Sequence, residues 1–185
     1  VLTDKKLTVL AVLASVLFAA TVLVYTTGLF DSGGDFTSGS LLIQGLDPKG
    51  VSEISIKQGD DELDLQRTDD GFVVKQRQGY SVPAEKINSL FIKLDIRCEN
   101  KVTENKDNHK DLGVADDDKD ATIVKLLDKD GKTITGVVVG GGASRGPGVY
   151  IRTVDSDVVY TTSNRVSFAT TPSDYVDTEL VKVAK

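Results

Sequence analysis

The sequence predicts an α+β fold: an antiparallel-sheet domain with one or two packed helices, tethered to a membrane by an N-terminal transmembrane helix. Three observations lead there. Leu7 to Phe30 is a run of 24 residues without a charge. Beyond it, short stretches alternate apolar and polar residues between Gly- and Asp-rich turns, the pattern of half-buried strands joined as hairpins. From Pro83 the apolar spacing changes to that of a helix, with Ile87, Leu90, Phe91 and Leu94 at i, i+3, i+4 and i+7.

The first element is the uncharged run. At ~1.5 Å per residue it would extend about 36 Å as a helix, enough to cross a hydrocarbon core of about 30 Å. Tyr25 and Phe30 fall where interfacial aromatics sit, Lys5 and Lys6 precede the run, and Asp31 and Asp35 follow it. The positive-inside rule then leaves the N-terminus in the cytoplasm and the remainder outside. A cleaved signal peptide and a buried core helix are the competing readings. The first would have a shorter apolar region and a small-x-small site after it, and the second would not be apolar on every face over such a length. Ala11, Ser15 and Ala19 recur at i, i+4 and i+8, a stripe of small residues that suits close approach of a second transmembrane helix. The alternative is that alanine is simply common in membrane helices. Setting aside Asp4, Lys5 and Lys6, which precede the run, leaves 20 basic and 27 acidic residues, a net −7. A domain that acidic is weakly repelled by anionic headgroups and stands off the membrane unless a partner holds it.

The chain thus divides into residues 1–30, a cytoplasmic stub with the transmembrane helix; 31–45, a Gly/Ser/Asp linker; and 46–185, an extracytoplasmic α+β domain. After the turn at Asp47-Pro48-Lys49-Gly50, strands are expected at Val51–Lys57, Leu63–Gln66 and Phe72–Val74, with turns at Gly59-Asp60-Asp61 and Asp69-Asp70-Gly71. The helix follows, with Ser81 or Val82 at its boundary and Pro83 in its first turn. Its stripe should face the sheet together with Ile54, Ile56, Phe72 and Val74. Arg97–Thr103 reads as a strand and Asn105–Asp120 as a polar connection. Thr122–Leu127, a hairpin turn at Asp128–Gly131, and Lys132–Val139 come next, then a loop over Gly140–Gly148 and strands at Val149–Val154 and Val158–Thr162. A short helix over Asn164–Thr170, capped by Ser163 or Asn164 and ended by Pro172, precedes a weak helical pattern over Tyr175–Val183. Strands then helix, twice, is either an internal duplication or a coincidence of short motifs.

In order along the chain stand LIQGLDPKGVSEISI, DGFVV, YSVPAEKINSLF, KDLGV, ATIVKLLDKDGKTITGVVVG, GVYIRTVDSDVVYTTSNRVSF and a late Asp-Tyr. Over residues 41–180 this order resembles the bacterial domain-of-unknown-function family 4340 (DUF4340). Phe72 departs from the Trp that the family often carries there, an exchange suited to a core position. The resemblance implies a bacterial, envelope-associated protein of the kind found near gliding-type ABC transporter components. It implies no catalytic activity and supplies no active-site residue.

Composition removes several functions. A pI of about 4.8 argues against a nucleic-acid partner. One Cys and one His exclude an intrachain disulfide framework and a multi-histidine metal centre. His109 stands in KDNHKDLG and reads as a solvated loop histidine. Gly142-Ala143-Ser144-Arg145-Gly146 has the letters G-x-S-x-G, but it is expected in a loop joining two strands, not on the strand-to-helix elbow that a nucleophile needs. The glycines of 140–148 lack the order of a phosphate-binding loop and join two strands, so this segment suits docking of a partner through Gly141, Ser144 and Arg145. Asp116-Asp117-Asp118 and Asp128-Lys129-Asp130 lack the spacing of a calcium loop. Cys98 is expected to be a buried free thiol, with an intermolecular disulfide as the alternative. No catalytic, cofactor-binding or metal-ligating residue is assigned.

The expectation is therefore a non-enzymatic accessory subunit of a multi-subunit bacterial complex, a transporter or an energy-converting assembly. It would lie in the inner (cytoplasmic) membrane as a single-pass protein with its domain in the periplasm, in contact with the bilayer and with other membrane subunits. A ligand- or partner-binding module of a gliding-type ABC export system is the second expectation, and an envelope hydrolase the third.

Overall fold

The structure is a computed structural model that describes residues 37–77 and 79–176. Residues 7–30, the stripe of Ala11, Ser15 and Ala19, and the helical pattern from residue 177 onward lie outside the described residues. Among the described residues no helix is long and apolar enough to cross a membrane.

Nine strands form one antiparallel sheet: β1 (Glu53–Gln58), β2 (Asp61–Thr68), β3 (Gly71–Val74), β4 (Tyr80–Val82), β5 (Cys98–Thr103), β6 (Thr122–Leu127), β7 (Thr133–Gly142), β8 (Val149–Thr153) and β9 (Val159–Thr162). One α-helix, α1 (Ala84–Lys93), lies between β4 and β5. The order across the sheet is β4-β3-β2-β1-β6-β7-β8-β9-β5. Two consecutive meanders, β1–β4 and β6–β9, therefore spread in opposite directions from a central β1–β6 pair. That pair is in full register, Glu53 opposite Leu127 and Gln58 opposite Thr122.

Tight turns set the register of the first meander. Gly59, at φ +58°, and Asp60 close the β1–β2 hairpin, in which Gln58 faces Asp61. The alternation of β1 then directs Ile54 and Ile56 to one face, where both are fully buried, and Ser55 and Lys57 to the other. Leu63, Leu65, Phe72, Val74, Val124, Leu126, Val137, Val139 and Ile151 join the first face from the neighbouring strands. The helix lays Ile87 and Leu90 onto this core, and Leu94, the residue that ends it, follows them. Phe91 is only partly buried, so the expected four-residue stripe is narrower than its spacing implied.

The second face carries a smaller core, Val114, Ala121, Val138 and Val159, with Leu112, Ile123, Tyr150 and Val154 packed against it. The polar connection after β5 folds back here, so β7 is apolar on both faces, with Val137, Val138 and Val139 all buried.

Two elements differ from the sequence reading. Residues 163–171 are irregular and make no helix, and Pro172 opens a 3-10 turn, Pro172–Asp174, instead of ending one. Thr162 explains the first point: its hydroxyl donates to the Asn164 carbonyl at 2.7 Å and so holds an irregular turn where a cap was expected. Phe168 and Tyr175 still enter the main core from this segment. The compact unit also begins at Ser38, inside the segment read as linker. Gly39 N–H donates to Cys98 O at 2.7 Å, Cys98 N–H to Ser40 O at 2.9 Å and Leu42 N–H to Ile96 O at 2.8 Å, so residues 39–42 line the outer side of the chain entering β5.

Candidate functional site

Two features bring chemistry-bearing side chains together. The first is the clamp that fastens the 104–121 segment to the second face. Arg152 lies on β8, opposite Val138 of β7, and is 3 % exposed. Its Nε donates to Val114 O at 2.8 Å, Nη1 to Thr153 O at 3.0 Å, and Nη2 to Asp116 Oδ1 at 2.5 Å. Beside it His109, 2 % exposed, bonds through Nε2 to the Asp157 carbonyl at 2.9 Å. A carbonyl oxygen only accepts, so Nε2 is the protonated nitrogen of this pair. The expectation of a solvated histidine is thus overturned: the DLGV turn that follows buries the ring against the β8–β9 connection. The bonds of Arg152 and His109 run to carbonyls and to one exposed carboxylate, an arrangement that fixes a segment in place.

The glycine-rich segment belongs to the same clamp. Gly113 turns at φ +67°, and a Cβ placed on Gly140 would lie 2.6 Å from Gly113 O and 2.7 Å from Leu112 O. Gly140 is therefore required by the close approach of the DLGV turn to β7. Gly141 donates its N–H to Leu112 O at 3.1 Å and lies within β7, not in the loop beyond it. Ser144 is held by Tyr150, whose hydroxyl stands 2.6 Å from Ser144 Oγ and accepts from Ser144 N–H at 3.2 Å. Arg145 is exposed at the tip of the loop. All three residues expected to form a docking loop are exposed, and Gly141 and Ser144 also bond within the chain.

The acidic residues have local partners. Asp116 meets Arg152, Asp118 Oδ1 accepts from Asp120 N–H at 2.9 Å, and Asp128 Oδ1 accepts from Asp130 and Lys132 N–H, both at 2.9 Å. No three metal-ligating side chains converge among the described residues. Cys98 is a buried free thiol, and burial pushes its pKa up to about 11, which keeps it in the unreactive protonated form.

The second feature is a pair of adjoining concavities beside α1. One, of about 420 Å³, is lined by Leu41, Ile43, Leu46, Phe91, Ile92 and Leu94 among others. The other, of about 430 Å³, is lined by Lys49, Arg67, Phe72, Pro83, Asn88 and Phe91 among others. Phe91 and Pro48 line both. Ile92 is 73 % exposed, the most exposed large apolar side chain among the described residues. Arg67 holds one wall: its guanidinium lies 4.6 Å from the Phe72 ring centre and donates to Val51 O and Pro48 O at 2.6 and 2.7 Å. The two concavities mix apolar side chains with the charged Lys49, Arg67, Asp70 and Asp95.

Sequence reasoning missed both features. Arg152 carries a signal, since an arginine in mid-strand between Ile151 and Thr153 has to find partners if its face is covered. What covers that face is a connection that looked merely polar. The concavities carry no motif, because Leu41 and Ile43 sit in what read as linker.

No curated protein and no solved structure matches the chain. A family model does, that of a domain of unknown function, DUF4340, over residues 73–185. The match opens inside β3 and runs through α1, the DLGV turn and the second meander, leaving β1 and β2 outside it. With more than half of its length matched, the chain belongs to the DUF4340 family.

Proposed function

We propose that this chain is a non-enzymatic accessory subunit of a multi-subunit bacterial membrane complex, anchored by residues 7–30 in the inner membrane with its domain in the periplasm. The observation that carries the reading is the 24-residue uncharged run with Lys5 and Lys6 before it and Asp31 and Asp35 after it. The domain adds support. Its most exposed apolar surface, Ile92 with Phe91, adjoins Leu41 and Ile43. Ile92 is exposed and Phe91, Leu41 and Ile43 beside it are half-buried, a small apolar surface that a protein partner would cover. The domain's net negative charge disfavours the lipid surface itself as the occupant. The host is a transporter or an energy-converting assembly. The two meanders, spreading from a shared central pair, are read as a duplicated unit.

One observation favours a second reading, a ligand- or partner-binding module of a gliding-type ABC export system. The concavity between Arg67, Phe72, Asn88 and Phe91, about 430 Å³, has the size and the mixed lining of a small-ligand site.

Topology is tested by adding protease to intact spheroplasts. The domain should be digested while a cytoplasmic marker survives. Digestion of the domain only after lysis would overturn the proposal.

A further inference from the structure

The concavity at the start of α1 has a charge pattern opposite to that of the chain around it. Beyond the uncharged run the sequence has 20 basic and 27 acidic residues, a net −7. The lining of this concavity has two cations, Lys49 and Arg67, and one carboxylate, Asp70, which leaves it at +1. The adjoining concavity has Asp95 as its one charged lining residue.

The two cations are held together without a counter-ion. Arg67 donates through Nε to Val51 O at 2.6 Å and through Nη2 to Pro48 O at 2.7 Å, and its guanidinium lies 4.6 Å from the Phe72 ring centre. The group therefore has its orientation before any ligand arrives. The Pro48 carbonyl brings it to the 3-10 turn Pro48–Gly50, which carries Lys49. Both acceptors of Arg67 are neutral carbonyls, and among the described residues neither Arg67 nor Lys49 has a carboxylate within ion-pair distance. Two like charges set side by side repel each other, and an anion between them relieves the repulsion. Asp47 does not supply that anion to the concavity: its Oδ1 caps the turn by accepting from Lys49 N–H at 2.9 Å, and it is not part of the lining. Glu85, in the first turn of α1, is exposed and also outside the lining.

The other walls suit an apolar body with a polar end. Phe91, half-buried, offers a ring, and Asn88 offers an amide. The volume, about 430 Å³, lies in the lower part of the range of small-molecule sites, roughly 300–1,000 Å³. The charge count sets the valence of the ligand. One carboxylate neutralises a lining of +1, whereas a phosphate dianion overfills it and meets Asp70 with its second charge. We infer that this concavity binds a small molecule bearing one carboxylate on a compact apolar body, with the carboxylate between Lys49 and Arg67 and the body against Phe91. The inference rests on the reading of the concavity as a small-ligand site and gives that site its ligand class.

The test uses the full chain, labelled with nitrogen-15, in nanodiscs of phosphatidylcholine. The probes are phenylacetate, its neutral counterpart phenylacetamide, the cation 2-phenylethylammonium and phenyl phosphate. The Arg67 Nε–H, the Asn88 side-chain amide and the Phe91 backbone N–H are followed by NMR. Phenylacetate should shift all three saturably and bind at least ~5-fold more tightly than each of the other probes. Lys49→Gln changes an exposed side chain, so the fold is kept. It should weaken phenylacetate at least ~3-fold and leave phenylacetamide as it was. Phenylacetamide or the ammonium bound as tightly as phenylacetate would overturn the anionic class while keeping a small-ligand site. Tighter binding of phenyl phosphate would overturn the single carboxylate, and an unchanged phenylacetate affinity in Lys49→Gln would overturn its placement. No saturable shift with any of the four probes would overturn the small-ligand reading itself and the inference with it.

Discussion

Arg152 and Asp116 form an ion pair in which the partners have unequal roles. The arginine is 3 % exposed and the aspartate side chain 67 % exposed. The carboxylate can return to water at little cost, and exposed pairs contribute only about 0–1 kcal/mol. The carbonyls of Val114 and Thr153 cannot, and each buried acceptor left without a donor costs about 1–3 kcal/mol. Arg152→Met should therefore destabilise the domain by about 3 kcal/mol in urea denaturation and Asp116→Asn by less than about 1 kcal/mol. Equal losses would show that the charge, not the carbonyl satisfaction, holds the clamp. Two further residues set an alkaline limit. Burial raises the Cys98 thiol to about 11 and the Tyr175 phenol, which donates to Ala169 O at 3.3 Å, to about 12. The unfolded chain releases these protons near pH 9 and 10, while the folded chain still holds them. A state that binds more protons is weakened as they become scarce, so stability is full below about pH 9 and falls as pH rises through 11 and 12. The urea midpoint should drop between pH 8 and 11, and less steeply in Cys98→Ser. The same slope in both would exclude the thiol as a contributor.

At the scale of elements, the helix and the hairpins were legible because each rests on a local rule. Turn glycines and alternation gave β3 and β6 to within a residue and β1 and β2 to within two at each end, and helical spacing gave α1. Local rules failed wherever a distant segment decided the outcome. Phe91 satisfies the helical stripe, yet it is only partly buried and lines both concavities. Leu90→Ala should accordingly cost about 2–5 kcal/mol, as for a fully packed leucine. Phe91→Ala should cost less than that variant, despite the larger side chain, and a greater loss would mean that the ring is buried. His109 was misread for the same reason, since nothing in KDNHKDLG announces that the β8–β9 connection meets it at Asp157. The glycine run at 140–142 looked like a flexible loop, but its first member is a contact surface for the DLGV turn. Gly140→Ala should destabilise by about 1–3 kcal/mol through overpacking, read by thermal or urea unfolding. A neutral effect would mean that the turn does not rest on β7.

For the molecule as a whole, the proposed attachment rests on the sequence alone, and the sequence says least about the site. A charge-free run is visible in one dimension, whereas the concavities beside α1 exist only when residues 41–48 are folded against residues 83–94. The loop of Gly141, Ser144 and Arg145 was legible as an exposed segment, whereas Ile92, never singled out, is the most exposed large apolar side chain among the described residues. The central claim, an anchored accessory subunit, is tested most directly by purification in mild detergent followed by mass spectrometry. The unmodified chain is compared with a Ser15→Leu, Ala19→Leu variant, which keeps the span apolar but blocks close helix approach. The expected result is the same set of membrane subunits in fixed proportion with the unmodified chain, and their loss from the variant at equal membrane insertion. Recovery of the unmodified chain by itself, or of the same subunits in undiminished proportion with the variant, would contradict it.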